Sequence, residues 1–166
     1  MLIRIFIFYF FVLFCLSNAS HAEMVINLKG PWDGKKVPAG EQCILHGGKG
    51  KTPPMEVSKL PNGTSWVHVE YNDQDYQPLS FNGGHGIIGY PVSGSKVDLY
   101  SVNGMEAKLT GKAKVVKKAR STGKYASKGY LPPCSGGWNN QYFAVIKAIN
   151  SNGKVLEKKK VWIGRY

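Results

Sequence analysis

The sequence predicts an all-β protein, an antiparallel β-sandwich with little helix, and three observations carry that reading. Short apolar runs recur along the chain between Gly, Pro, Asn and Ser, the punctuation of strands and turns. No stretch keeps a helical apolar period through three turns, whereas Thr64 to Tyr71 alternates with the period of a strand. Near the C-terminus the turn residues Asn150 to Gly153 separate two β-rich runs, the pattern of a hairpin.

Taken in order, the first element is not part of that sandwich. Arg4 precedes an apolar run from Ile5 to Leu16, and Ser20 and Ala22 are small residues at the −3 and −1 positions of a cleavage site. Residues 1–22 therefore read as a signal peptide, because the run falls short of the roughly 20 residues that a spanning helix needs. Lipidation at Cys15 is the alternative, and bulky Leu13 and Phe14 in front of it argue against that. Residues 23–166 are expected to form a single exported domain, periplasmic or secreted, with no transmembrane segment.

Within that domain Val67, Val69 and Tyr71 share one face of the first strand, and Trp66, His68 and Glu70 the other. Gly86 to Val92 and Lys96 to Val102 are short strand candidates. Gln141 to Ile149 is apolar on both faces, as a central strand is, and Lys154 to Gly164 follows it across the turn. Met105 to Ala119 is the one place for a helix, weakened by Gly111 and by β-branched Val115 and Val116. No repeat, low-complexity linker or second domain interrupts the pattern.

Removing the leader removes Cys15 and leaves Cys43 and Cys134. An even count in an oxidising compartment reads as one disulfide. It closes a loop of about 90 residues, for which chain entropy suggests about 4–5 kcal/mol. Nucleophilic cysteine chemistry is thereby set aside.

The full chain carries 22 Lys and Arg against 10 Asp and Glu, a net charge of +12. A basic stretch holds Lys108, Lys112, Lys114, Lys117, Lys118, Arg120, Lys124 and Lys128 without an acid, and Lys158 to Lys160 form a second cluster. Two readings stand: a solubilising surface, or a patch for lipopolysaccharide or another anionic surface. Single-stranded nucleic acid is the weaker partner, because Tyr125 is the lone aromatic in that stretch.

Five segments taken together resemble the phosphatidylethanolamine-binding protein family, also called the Raf kinase inhibitor-like family. They are "PWDGKKVPAGEQC", "PPMEVSKLPNGTSWVHVEYNDQD", "GGHGIIGYPV", "GYLPPCSGGWNNQYFAVIKAI" and "GKVLEKKKVWIGRY". The resemblance implies a β-sandwich with a small cavity for the anionic head, phosphate or carboxylate, of a ligand. The family's Asp-Pro-Asp segment falls on Asp73, Gln74 and Asp75, and its histidine on His85. Its proline-rich loop falls on Pro132 and Pro133 beside Cys134, and its His-Arg-Tyr segment on Asn140, Gln141 and Tyr142. The implied ligand-binding set is thus Asp73, Asp75, His85, Pro132, Pro133, Asn140 and Tyr142.

The departures from that pattern are Gln74, Gly86, Asn140 and Gln141, where the family places a proline, an aromatic, a histidine and an arginine. Exchanging an imidazolium for the Asn140 amide weakens anion binding by about tenfold. The turn at Asn150 to Gly153 leaves no room for the C-terminal helix of longer members, and its loss opens the site to larger partners. His85 is expected to meet the anion once charged, below about pH 6.5, with the Asp73 carboxylate favouring that form.

Each of these residues also has a plainer reading. Asp73 and Asp75 suit a strand-end loop in which carboxylates satisfy backbone amides, and a lone histidine is commonly a structural residue. A metal held by Asp73, Asp75, His85 and His46 or His68 lacks ligand spacing, so no metal and no cofactor are expected. No nucleophile elbow, phosphate loop or dinucleotide fingerprint occurs. The expected protein is therefore a non-enzymatic binder of a small anionic ligand. The alternatives are a protein-interaction module, such as a protease or kinase regulator, and a polyanion binder with a degenerate cavity. Asn62-Gly63-Thr64 has the form of a glycosylation sequon.

Overall fold

The computed structural model describes residues 23–166; the leader assigned to 1–22, with Arg4 and Cys15, lies outside them. Eight strands form two antiparallel sheets. They are β1 (Val25–Leu28), β2 (Met55–Ser58), β3 (Thr64–Asp73), β4 (Ile87–Pro91), β5 (Lys96–Leu99), β6 (Lys114–Lys117), β7 (Gln141–Asn150) and β8 (Val155–Arg165). The smaller sheet has the order β1-β2-β5 and the larger β6-β4-β3-β7-β8.

The alternation seen in β3 is what closes the sandwich. Val67, Val69 and Tyr71 are buried with Ala144, Ile146 and Ala148 of β7 and Ile88 and Tyr90 of β4. They share one core cluster with Met55, Val57 and Leu99 of the smaller sheet. Period-two sequences leave the alternate residues on the opposite face, where Trp66 and His68 are half-buried. Strand β7 sits between β3 and β8, which accounts for its apolar residues on both faces.

The β7–β8 hairpin turns as the sequence implies. The Asn150 side chain accepts hydrogen bonds from the N–H groups of Asn152 and Lys154, at 3.0 and 2.9 Å, an Asx-type closure. Among the described residues there is no α-helix, only 3₁₀ turns at Ile44–His46, Gln77–Leu79 and Gly123–Tyr125. None of the helices among the described residues is long and apolar enough to cross a membrane. The candidate helix within Met105 to Ala119 is instead strand β6, paired to β4. Its β-branched Val115 and Val116 suit a pleated edge better than a helix.

Cys43 and Cys134 form a disulfide across 91 residues, with Cα atoms 5.2 Å apart. It ties the Ile44–His46 turn to the loop that leads into β7. The Cys43 N–H also donates to the Pro133 carbonyl at 2.9 Å.

Candidate functional site

Pairing of β3 with β7 sets Asp73 directly opposite Tyr142, at the end of the larger sheet. The chain leaves β3 in an Asx turn. Asp73 Oδ1 accepts the Asp75 N–H at 3.0 Å, and its Oδ2 accepts the Asn140 amide at 2.8 Å. Asp75 Oδ2 accepts the Gln141 N–H at 2.7 Å, while the Gln74 N–H donates to the Gln141 carbonyl at 2.8 Å. The two aspartates thus fasten the start of β7 to the end of β3, and Asn140 and Gln141 are their partners. Asp73 is 4% exposed, whereas Asp75 stays open to solvent.

His85 precedes β4 and is 2% exposed. Its N–H donates to the Tyr71 carbonyl at 2.9 Å, and its carbonyl accepts the Leu131 N–H at 2.8 Å. Nδ1 lies 2.8 Å from the Leu131 carbonyl. A carbonyl only accepts, so Nδ1 carries the proton and Nε2 presents a lone pair. That Nε2 is buried without a partner. Burial pushes the imidazole below its ordinary range, outweighing the Leu131 carbonyl and the Asp73 carboxylate that favour the charged form; Arg120 disfavours it further. Burial thus opposes the charge that the sequence reading expects of His85 at mildly acid pH, and in the neutral ring Nε2 is the acceptor.

Gly86, where the resemblance expects an aromatic, has φ +108°. A Cβ there meets the Gly129 carbonyl oxygen at 2.8 Å. The position excludes any side chain, and the ring beside His85 is Tyr142 instead, edge-on with centroids 5.4 Å apart. The Tyr142 hydroxyl accepts the Cys134 N–H at 3.2 Å, and burial pushes its phenol up.

These residues open onto a cavity of about 600 Å³. Asp73, Asp75, His85, Asn140 and Tyr142 line it, together with Leu131, Cys134 and Ser135. Pro132 and Pro133 do not, which corrects their placement: both are buried, and Pro132 packs under Gly50 and Gly104. Sequence reasoning missed Tyr76, Arg120, Ser121, Tyr125 and Trp138 as lining residues. Trp138 is 85% exposed, and its position in "SGGWNN" between the disulfide and β7 was the available signal.

Arg120 was grouped with the basic patch, yet it behaves differently from the lysines around it. Its Nε and Nη2 donate to the Pro78 carbonyl at 3.2 and 2.9 Å, Nη2 to Phe81 at 2.8 Å and Nη1 to Asn82 at 3.3 Å. The guanidinium also covers the Phe81 ring at 4.5 Å. Four of its donor contacts thus hold the loop over the cavity, a task that needs a planar fork and explains one arginine in a run of lysines. Lys108, Lys112, Lys114, Lys117 and Lys118 are exposed. Lys114 lies over the Trp66 ring at 3.7 Å, and Lys117 reaches the Asn82 carbonyl at 3.4 Å.

The histidines considered for a metal are dispersed. His68 lies on the opposite face of β3 from the core, packed at Gly89 and Val116. His46 groups with Cys43 and Cys134, their ligand atoms within 4.8 Å of one another. Both sulfurs are committed to the disulfide, so that group offers no thiolate.

No protein-family model matches the sequence, and no curated protein matches it. Solved structures do. A phosphatidylethanolamine-binding protein homolog of Chlamydia trachomatis, CT736, superposes with a TM-score of 0.54 at 18% identity, covering 89% of this chain and 98% of its own. YbcL of Escherichia coli, described as a member of the mammalian phosphatidylethanolamine-binding protein family, superposes with a TM-score of 0.55 at 17% identity, covering 87% and 98%. The chain has the phosphatidylethanolamine-binding protein fold.

Proposed function

We propose that this chain is an exported, non-enzymatic member of the phosphatidylethanolamine-binding protein family that holds the anionic head group of a small ligand in the His85 cavity. One observation carries the reading. In a ligand-sized cavity two lining residues, His85 and Ser121, each leave a buried polar atom, Nε2 and Oγ, without a partner, whereas buried polar groups are almost always satisfied. A bound head group supplies what they lack.

The tautomer narrows that head group. His85 Nε2 accepts, so its partner brings a hydrogen of its own; a singly protonated phosphomonoester does so and keeps a negative charge for the Ser121 and Tyr142 hydroxyls to meet. Arg120 adds positive potential with its guanidinium already bonded. The binding reading is supported over hydrolysis because Ser121 Oγ and His85 Nε2 are not hydrogen-bonded to each other and His85 Nδ1 is turned to a carbonyl, not a carboxylate. Export is supported by the pattern of residues 1–22 and by the disulfide.

Calorimetric titration with phenyl phosphate tests the proposal. Affinity is expected to fall as pH rises through the second phosphomonoester pKa, about 6, and to drop about tenfold in Ser121→Ala, the loss of one hydrogen bond to a charged partner. Undetectable binding across that range, or equal affinity for a phosphodiester, overturns it.

A further inference from the structure

The outer face of the larger sheet, turned away from the core, carries basic side chains in register. Lys158 of β8 stands opposite Lys147 of β7, and Lys147 opposite His68 of β3. His68 stands opposite Gly89 of β4, and Gly89 opposite Lys114 of β6. Residues directly opposite in antiparallel strands share a face. The five positions therefore form one rank across the sheet, about 19 Å long at about 4.8 Å per strand. Side-chain contacts agree: Lys147 Nζ reaches Glu70 at 2.6 Å, Lys114 covers Trp66, and a Cβ at Gly89 meets the His68 ring and Val116.

Beside this rank, Lys160 stands opposite Val145, which stands opposite Glu70. Glu70 is engaged by Lys147, while Lys114, Lys158 and Lys160 are in no ion pair among the described residues. The lysines that sequence distance divides into two clusters are thus brought into one field by strand pairing.

We propose that this rank is the docking track of a linear acidic polysaccharide laid across the strands, its sulfate or carboxylate groups meeting Lys158 and Lys114 on the rank and Lys160 beside it. The charge is complementary, and a rank one side chain wide suits a single extended chain. The aromatic groups argue against the other polyanions. Lys114 sits on the Trp66 ring, and Lys160 on those of Phe143 and Trp162, at 3.7, 4.0 and 3.7 Å. A cation thus lies over a face of each of these rings, whereas a bilayer anchor needs aromatic tips in the interface and single-stranded nucleic acid needs open ring faces for stacking.

His68 adds a second readout. Burial, then Lys114 and Lys147, hold its imidazole below the ordinary range, with Glu70 opposing them. A polyanion over the rank offsets the lysines' part of that shift and so favours proton uptake on binding as pH falls from neutrality.

The test is titration of the mature protein with a heparin octasaccharide at low and physiological salt, with phosphatidylglycerol vesicles as the second arm. Lys114→Gln with Lys158→Gln is expected to weaken octasaccharide binding about tenfold and to lower the slope of log affinity against log salt by about two. Lys112→Gln with Lys118→Gln removes the same charge off the rank and is expected to cost less than about twofold. Lys158→Glu alone repeats the measurement at one exposed residue, should the double variant fold poorly. Equal losses in the two pairs, absence of octasaccharide binding by the wild type, or rank-dependent binding to the vesicles in preference to the sugar would overturn the proposal.

Discussion

The two faces of the larger sheet treat charge in opposite ways. At its inner end the carboxylates of Asp73 and Asp75 and the guanidinium of Arg120 are spent on nearby amides and carbonyls, and burial disfavours the charged form of His85. On the outer face Lys114, Lys158 and Lys160 carry charge without a counter-ion among the described residues. Formal charge thus says little about which groups face a ligand. What decides is whether the backbone near each group has already claimed it.

The hardest way to break this contrast is to untie the inner end. Replacing Cys43 and Cys134 by Ser is expected to cost 2–5 kcal/mol in urea unfolding, roughly the loss seen when a native disulfide is removed. The same change leaves octasaccharide binding by the folded protein intact, because the outer face shares no residue with the bridge.

A smaller effect sharpens the role of Asp73. Asp73→Ala orphans the Asn140 amide and the Asp75 N–H, and its expected cost is about 1–3 kcal/mol. Arg120→Lys is expected to cost about 1 kcal/mol and to raise protease cleavage in residues 77–82, since an ammonium cannot serve three carbonyls in a plane. Intact residues 77–82 under conditions that leave the wild type uncut would show that the guanidinium is only a surface charge.

The pH dependence separates the faces further. The folded pKa of His85 lies below its unfolded value, so the stability it contributes is present above about pH 6.5 and is lost as pH falls through the folded pKa. Thermal unfolding midpoints should therefore fall on acidification below that point, and less steeply in His85→Gln. His68 has the same sign, and an acidic polysaccharide on the outer face should suppress its share and leave that of His85. The smallest change expected is in Trp138→Ala, within about 0.5 kcal/mol of wild-type stability because the ring is almost fully exposed.

Where side-chain period dictates structure, the sequence was legible. Alternation in β3, the two-sided apolar pattern of β7 and the Asn150 to Gly153 turn correspond to the central strands and their hairpin. The all-β class follows from the same residues, and the cysteine pairing from the two cysteines left beyond the leader. Strands β1 and β2 have four residues each, too few to show a period, and β6 lay in a stretch where Val115 and Val116 weakened a helix without defining a strand.

The site was legible only in part, for a different reason. Asp73, Asp75, His85, Asn140 and Tyr142 do line one cavity, but residue type cannot reveal the Leu131 carbonyl that selects the tautomer of His85. Neither could it show Arg120 folding back over residues 77–82, or Pro132 turning away beneath Gly50 and Gly104. All three depend on contacts between segments distant in sequence.

The bridge between Cys43 and Cys134 also depends on the fold that presents it. The two thiols begin 91 residues apart, and random encounter over such a distance is entropically unfavourable. In the folded chain the Cys43 N–H is bonded to Pro133 O and the Cys134 N–H to the Tyr142 hydroxyl. These bonds hold the two cysteine segments side by side, so the fold itself supplies the proximity that the bridge needs, and the bridge in turn ties the Cys134 wall of the cavity to the Ile44–His46 turn.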